Sequence, residues 1–426
     1  MLVCSDFIGW ERKPVLAVVT SKICQALMQK GWKIALLTLS GNALHQDFLS
    51  EDERRKEFLE AIPDVVIYAT KGGFPSPLDI LRYLKNRKRT ISAKGVNFSL
   101  SRTKSGRSYP LFRDFVARIG KVIHPFWRGY IYCYRQMVKE GLKAIGEFKP
   151  SIIIGNHPPY CFLIASRLSE LTGIPWIANI MDAIPKTPLI GFILKQLNTS
   201  RAIITPFFEK WDYRGRKVPI YKVLYGYDPS EYPYATLLPI FTITGISRIY
   251  EKQYLYLRFL RVLHRLKSEG IFEEFPLKFR LYMLDDSLVL KEWRERLGLT
   301  EIVEFYPPVL RKEMLYKECE SCILFLTEYP LKFQYSTKFW EYIGTGRPIL
   351  HLGDPNDAEG KMLRSLSAGF NVEKEEEIYN FLKKALKDFY TKGDIDWNPD
   401  REAISSFAFP NLAKKWDEIL ERYRRK

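Results

Sequence analysis

The chain has 426 residues, 46% hydrophobic and 27% charged, which excludes wholesale disorder and leaves room for two domains with separate cores. Its net charge of +17 favours anionic partners: nucleic acid, an acidic membrane face or phosphorylated substrates. No apolar run approaches the roughly 20 residues needed to span a bilayer, and Met1 to Phe7 is too short for a signal peptide, so a cytoplasmic protein is expected.

The segment Leu2-Val3-Cys4 reads as a first buried strand. Val19, Ile23, Ala26 and Leu27 then fall at helical spacing, with Gly31 placed to end the helix. Lys33 to Leu39 and Val65 to Tyr68 are the next strands. Residues 75 to 145 are less regular. Between Asp79 and Asp114 stand ten Lys or Arg residues and no acid, including Lys85, Arg87, Lys88 and Arg89. The aromatics Phe126, Trp127, Tyr130, Tyr132 and Tyr134 follow. The basic stretch is either a solvated loop or a patch for anionic lipid headgroups, and the aromatics are a stacking surface for bases, an interfacial surface, or helix core plus an insertion.

Alternation resumes at Ser151 to Ile154, with a helix from about Tyr160 to Thr172 closed by Gly173, and a strand from Pro175 to Ile180. Gly226, Pro229, Pro233 and Pro239 break the chain, and a second series begins. Its strands are Ile240 to Thr244, Phe279 to Met283, Val303 to Phe305, Ile323 to Leu326 and Ile349 to Leu352, with a long helix after Glu251. Two amphipathic helices close the chain, one through Ile378, Leu382 and Phe389, the other through Leu412, Trp416 and Leu420. Buried strands alternating with helices predict parallel sheets covered on both faces. The fold class is therefore α/β, with ligands outside the carboxyl ends of the strands. Expected boundaries are 1–235, 236–405 and a final helix in 406–426.

The cysteines are scattered and suggest no disulfide framework. Cys319 and Cys322 form a lone C-x-x-C beside the apolar run from Ile323 to Leu326, which reads as a helix end and a buried strand rather than a metal site. Asp394-Ile395-Asp396 follows a glycine in a late loop and reads as surface.

The chemistry concentrates in Tyr335 to Leu350, YSTKFWEYIGTGRPIL. Tyr335, Ser336 and Thr337 lead into a helix whose free N–H groups and positive dipole end suit a phosphate. Lys338 could add charge to the same diphosphate, and Glu341, one turn on, could accept both hydroxyls of a ribose. Spacing alone equally allows a surface ion pair between Lys338 and Glu341. The segment resembles the nucleotide-sugar site of family-4 glycosyltransferases, which have the GT-B fold, in a branch common in exopolysaccharide and lipopolysaccharide synthesis. The match covers the tripeptide Tyr335, Ser336 and Thr337, then Lys338, Glu341, Tyr342, Gly346, Arg347, Pro348, Ile349 and Leu350. A second family glutamate is replaced by Phe333. Thr244-Gly245-Ile246-Ser247-Arg248 resembles the glycine turn near the donor diphosphate, with Arg248 as its cation and Lys252 in reserve. Lys149 to Ile154, His157 to Tyr160 and Gly173 to Ala178 resemble the first-domain pattern of the branch, and Leu224 to Asp228 resembles its N-G-Y-D.

This resemblance implies two Rossmann-like domains facing across a cleft, with the last helix returning to the first domain. It implies sugar transfer from a nucleotide-sugar donor, hexosyltransferase-like, to a glycan or lipid-linked acceptor, with retention and without a metal or cofactor. Donor-binding residues would be Gly245, Ser247, Arg248, Tyr335, Ser336, Thr337, Lys338 and Glu341. His157 and Asp182 would be catalytic. An epimerase or hydrolase of nucleotide sugars is the alternative on this fold. A nucleic-acid-binding protein would leave the donor motifs without a purpose, so no nucleic-acid partner is expected. The basic stretch suggests peripheral contact with the inner face of the cell membrane.

Overall fold

The computed structural model describes residues 1–5, 14–39, 64–70, 133–182, 184, 190–206, 218–247, 252–283 and 287–425. The basic stretch of 82–113, the aromatics from Phe126 to Tyr132 and Arg248 lie outside the described residues. The chain divides into two compact units. The first comprises the described residues up to 205 together with 218–223 and 415–425, and the second is centred on Leu224–Lys414.

The first unit carries β1 (Leu2–Cys4), β2 (Ala35–Leu39), β3 (Val66–Thr70), β4 (Ile153–Asn156), β5 (Trp176–Asn179), β6 (Ala202–Thr205) and β7 (Ile220–Lys222). All pair in parallel, in the order β3-β2-β1-β4-β5-β6-β7. Its helices are α1 (Pro14–Met28), α2 (Cys133–Phe148), α3 (Pro159–Thr172) and α4 (Ile190–Leu197). The inner strands are apolar without alternation because helices cover both faces. Gly173 ends α3 with φ 70°, donating its N–H to Ser169 O, as the sequence pattern predicts. Helix α2 occupies the end of the region expected to be irregular, and Tyr134 lies within it. The half-exposed edge strand β7 lacks the long apolar run by which the others are recognised.

The second unit carries β8 (Phe241–Ser247), β9 (Leu277–Met283), β10 (Val303–Tyr306), β11 (Ile323–Thr327), β12 (Ile349–Leu352) and β13 (Gly369–Val372). They form a parallel sheet in the order β10-β9-β8-β11-β12-β13. The helices are α5 (Gln253–Ser268), α6 (Ile271–Glu274), α7 (Leu288–Arg296), α8 (Arg311–Cys319), α9 (Thr337–Thr345), α10 (Ala358–Ser365), α11 (Glu375–Lys392), α12 (Arg401–Ser405) and α13 (Phe409–Tyr423). Phe259 of α5 packs on Phe279 and Phe325, with ring centroids 4.9 and 4.7 Å away. This aromatic wedge holds α5 over the three central strands, and each ring contributes a large buried area. The strand order reverses between β8 and β11, so the carboxyl ends of these two strands flank a topological switch point.

Two segments decide where one unit ends. The partition falls between Val223 and Leu224, ahead of the expected residue 235, because the chain from Leu224 onward bonds to the second unit. Tyr227 N–H donates to Phe407 O and Phe409 N–H donates to Tyr227 O. Residues from Lys415 on belong to the first unit. There Trp32 Nε1 donates to Asp417 at 2.7 Å, the Tyr221 and Tyr423 hydroxyls meet at 2.9 Å, and Arg425 N–H donates to Ser151 O.

Gly226 sits where the bridge between Tyr227 and Ala408 brings two backbones together. A Cβ there would lie 2.1 Å from Phe407 O. Backbone cannot yield as a side-chain tip does, so Gly226→Ala should destabilise the second unit by about 3 kcal/mol. Urea unfolding checks this; a variant as stable as wild type would contradict it.

Candidate functional site

The switch point of the second unit is built from four chain segments. Strand β8 ends at Ser247, β11 ends at Thr327, and the loop after β11 leads into α9. Ser336 takes extended backbone angles, φ −74° and ψ 152°, and its hydroxyl accepts from Phe339 N–H. That side chain satisfies one of the free N–H groups of α9 and fixes where the helix begins.

Helix α9 is fastened to the end of β8. The Tyr342 hydroxyl accepts from Ile246 N–H at 3.0 Å, and the Lys338 ammonium donates to Ile246 O. Lys252, at the start of α5, donates to both Thr327 O and Thr327 Oγ1 at 3.2 Å. Two lysines therefore stand at the ends of the two strands that define the switch point. Together with the N-terminus of α9 they give this edge of the sheet a positive character suited to an anion.

A second set of groups surrounds Glu341. Arg311, the first residue of α8, donates from one guanidinium nitrogen to Glu341 and from the other to Glu231 at 2.8 Å. Asp228 caps the turn Pro229–Glu231 through Ser230 N–H and so sets Glu231 in place. The Tyr232 hydroxyl donates to Glu341 O at 2.9 Å. Tyr232 lies so close to α9 that a Cβ on Gly344 would sit 2.4 Å from its ring. Burial opposes the charge of Arg311, but Glu341 and Glu231 outweigh it and hold the guanidinium cationic.

Several expected residues have structural partners. Tyr335 is buried, with its ring 5.5 Å from Trp340 and 6.1 Å from Phe339. The missing side chain of Gly245 faces β11: a Cβ would lie 3.0 Å from Phe325 O. Ser247 is also buried. Thr337 is the first residue of α9 and half-buried. Phe333, at the place of the second family glutamate, is half-buried as well.

His157 follows β4 and donates its backbone N–H to Asn179 O, and Asp182 lies shortly after β5. The first unit thus places both on the carboxyl-end side of neighbouring strands. Beside them runs a buried polar chain: Asn179 Nδ2 to Asn156 Oδ1 at 2.5 Å, and Asn156 Nδ2 to Thr20 Oγ1 at 2.7 Å and Ser5 Oγ at 3.1 Å.

No motif or spacing singles out Arg311, Glu231, Glu318 or Glu359. Glu359, buried in α10, accepts from Ser336 N–H at 2.6 Å and backs the start of α9. Burial pushes its carboxyl above the usual carboxylate range. These residues come from α8, α10 and the turn Pro229–Glu231, and only the folded topology assembles them.

The C-x-x-C cysteines are both buried, and burial pushes each thiol up to about 11. Among the described residues no cluster of His, Cys, Asp and Glu could hold a metal ion. Asp394 and Asp396 are exposed, as expected of a surface loop.

No family model matches the chain, and no curated protein matches its sequence. Solved structures do match in fold. HepE from Anabaena, in complex with UDP, superposes with a TM-score of 0.61 at 12% identity, covering 99% of both chains. A glycosyltransferase from Rickettsia africae ESF-5 gives 0.60 at 12% identity, covering 99% of this chain and 98% of its own. A Listeria monocytogenes protein assigned as a UDP-N-acetylglucosamine 2-epimerase gives 0.54 at 11% identity, covering 99% and 96%. The fold is GT-B, with two Rossmann-like domains.

Gly245 lets β8 and β11 approach at the switch point. Gly245→Ala must displace the backbone or ring of Phe325 and should cost about 1 to 3 kcal/mol. Thermal unfolding of the purified variant tests this, and an unchanged melting temperature would contradict it.

Proposed function

We propose that this chain is a glycosyltransferase similar to family 4, transferring a hexose-like sugar from a nucleotide-sugar donor to a glycan or lipid-linked acceptor. The carrying observation is the convergence of Lys338, Lys252, Ser336 and Glu341 around the switch point of the second unit. The fold neighbours are compatible with this reading but include both a transferase and an epimerase, so the reaction must be argued from the site.

In this reading the donor diphosphate meets the N-terminus of α9, with Lys338 and Lys252 beside it and Arg248 as a further cation. As the sugar departs, charge grows on the diphosphate, and fixed donors and cations there lower the barrier without a metal. Glu341 holds the ribose. Gly245, Ser247 and Tyr335 support these groups by packing, while Ser336 and Thr337 set the helix start. His157 and Asp182 belong to the acceptor side of the reaction, which proceeds with retention. No cofactor is required beyond the donor itself.

A nucleotide-sugar epimerase or hydrolase is the second reading, favoured by the Listeria likeness in fold. Product analysis with and without acceptor separates them. Transfer needs the acceptor, whereas the others turn over the donor alone.

Thermal-shift measurements against a panel of nucleotide sugars should identify the donor, since a ligand at 100 times its Kd adds about 2.7 kcal/mol of stability. With that donor, Glu341→Ala should lose on the order of 1.5 to 3 kcal/mol of binding. Full affinity in a folded Glu341→Ala variant would remove Glu341 from the donor site.

The acceptor also bears on location. No helix among the described residues is long and apolar enough to cross a membrane. We propose that the basic stretch of 82–113 binds anionic lipid at the inner membrane face, where a lipid-linked acceptor would be met. Each basic residue near such a surface is worth about 1 kcal/mol. Sedimentation with vesicles should require anionic lipid and weaken when Lys85, Arg87, Lys88 and Arg89 are neutralised. Equal sedimentation with neutral vesicles, or none at all, would refute this.

A further inference from the structure

Glu318 is the most unusual side chain of the second unit. It lies on α8 with no exposure to solvent. Neither of its carboxyl oxygens meets a hydrogen-bond donor on the protein among the described residues. An ionised carboxylate in that position would carry a large desolvation cost. The neighbouring group is itself a carboxylate, Glu341, which α9 packs against α8.

Charge counting shows how the cluster can be stable. Arg311 is one cation shared by Glu341 and Glu231. Lys338 is the other cation that acts on Glu318, so a third ionised carboxylate, wholly buried, would still leave one negative charge uncompensated. Burial first, and then the charge of Glu341, push the Glu318 carboxyl well above the usual carboxylate range. Glu318 is therefore the neutral member, and the neighbouring Glu341 carboxylate can accept its proton. Such a pair is a carboxylic acid donating to a carboxylate, which is a charge-assisted interaction.

Glu341 accepts from Arg311, and a neutral Glu318 beside it can supply a second donor. A carboxylate has about four lone-pair sites, so two remain for a ligand. Its backbone is held as well, through Tyr232 on Glu341 O. A free glutamate on a helix can adopt several rotamers, and each must be given up on binding. Here the rotamer is fixed beforehand.

We propose that Arg311 and Glu318 are positioning residues, holding the Glu341 carboxylate in one orientation for the ribose of a nucleotide. This rests on the reading of Glu341 as the ribose ligand. Glu231 completes the arrangement by balancing the second arm of Arg311.

The test is calorimetric titration of the full-length protein with UDP, GDP and ADP, continued with whichever nucleoside diphosphate binds most tightly. The variants are Glu318→Gln, Glu318→Met, Arg311→Met and Glu341→Ala, with melting temperatures measured for each. The Gln amide still donates to Glu341, so Glu318→Gln should bind within about threefold of wild type. Glu318→Met has similar length but no donor, and it should weaken binding about tenfold or more. Arg311→Met should weaken it similarly. When Glu341 is already alanine, Glu318→Met should add no further loss, because nothing is left to position.

Wild-type affinity in Glu318→Met would overturn the proposal. So would equal losses in the Gln and Met variants, or the same loss from Glu318→Met with and without Glu341. If Glu341→Ala itself binds as wild type does, the donor-site reading fails, and the positioning role fails with it. If Glu341→Ala is weakened but Glu318→Met is not, only the positioning role is lost. Binding of none of the three nucleotides to wild type would overturn both.

Discussion

Both backbone polar groups of Ile246 are held by a single helix. Its N–H goes to the Tyr342 hydroxyl and its carbonyl to the Lys338 ammonium, both on α9. A strand end that emerges from a sheet must otherwise find water or a loop. Here the helix that follows β11 closes the end of β8, and so joins the two strands at which the sheet order reverses. Tyr342 and Lys338 are four residues apart and therefore lie on one side of α9. The same helix carries Glu341, so the grip on Ile246 also sets where that carboxylate stands. Gly245, one residue earlier, allows the approach of Phe325 on which this closure relies.

Around that closure the second unit places charges in a definite order. Lysines stand at the strand ends, and the start of α9 is backed by Glu359 through Ser336 N–H. One helical turn further on, Arg311 bridges Glu341 and Glu231. A nucleoside diphosphate has its negative charge at one end and its hydroxyl donors next to it. The separation of cationic and carboxylate groups along α9 follows the same sequence. This correspondence, more than the fold alone, supports a nucleotide sugar as ligand, because one fold hosts both transferases and epimerases.

Much of the architecture was legible in the chain. Apolar runs without alternation, such as Ile323 to Leu326, announce strands buried on both faces, and Gly173 and Gly346 mark helix ends where φ is positive. The YSTKFWEY segment located the helix start, the lysine and the glutamate. Edge strands were less visible: Ile220–Lys222 is short and half-exposed, and Gly369–Val372 opens on a glycine and is only partly buried. The second row of site residues was invisible for a different reason. Arg311 and Glu318 on α8, Glu359 on α10 and Glu231 in a turn come from separate parts of the chain, and each alone looks like an ordinary surface charge. Motif resemblance implies ligand contact for Tyr335 and Gly245; in the fold Tyr335 also packs on Trp340, and Gly245 lies against Phe325. A motif marks a position without saying which of its residues touch ligand and which hold the others.

The account centres on a nucleotide-sugar site at the switch point of the second unit, and a crystal structure of the protein soaked with its nucleotide sugar tests that most directly. Difference density should place the diphosphate at the N-terminus of α9, within hydrogen-bond reach of Lys338 or Lys252, and the ribose hydroxyls on Glu341. A nucleotide bound elsewhere, with α9 and Glu341 untouched, would contradict the account.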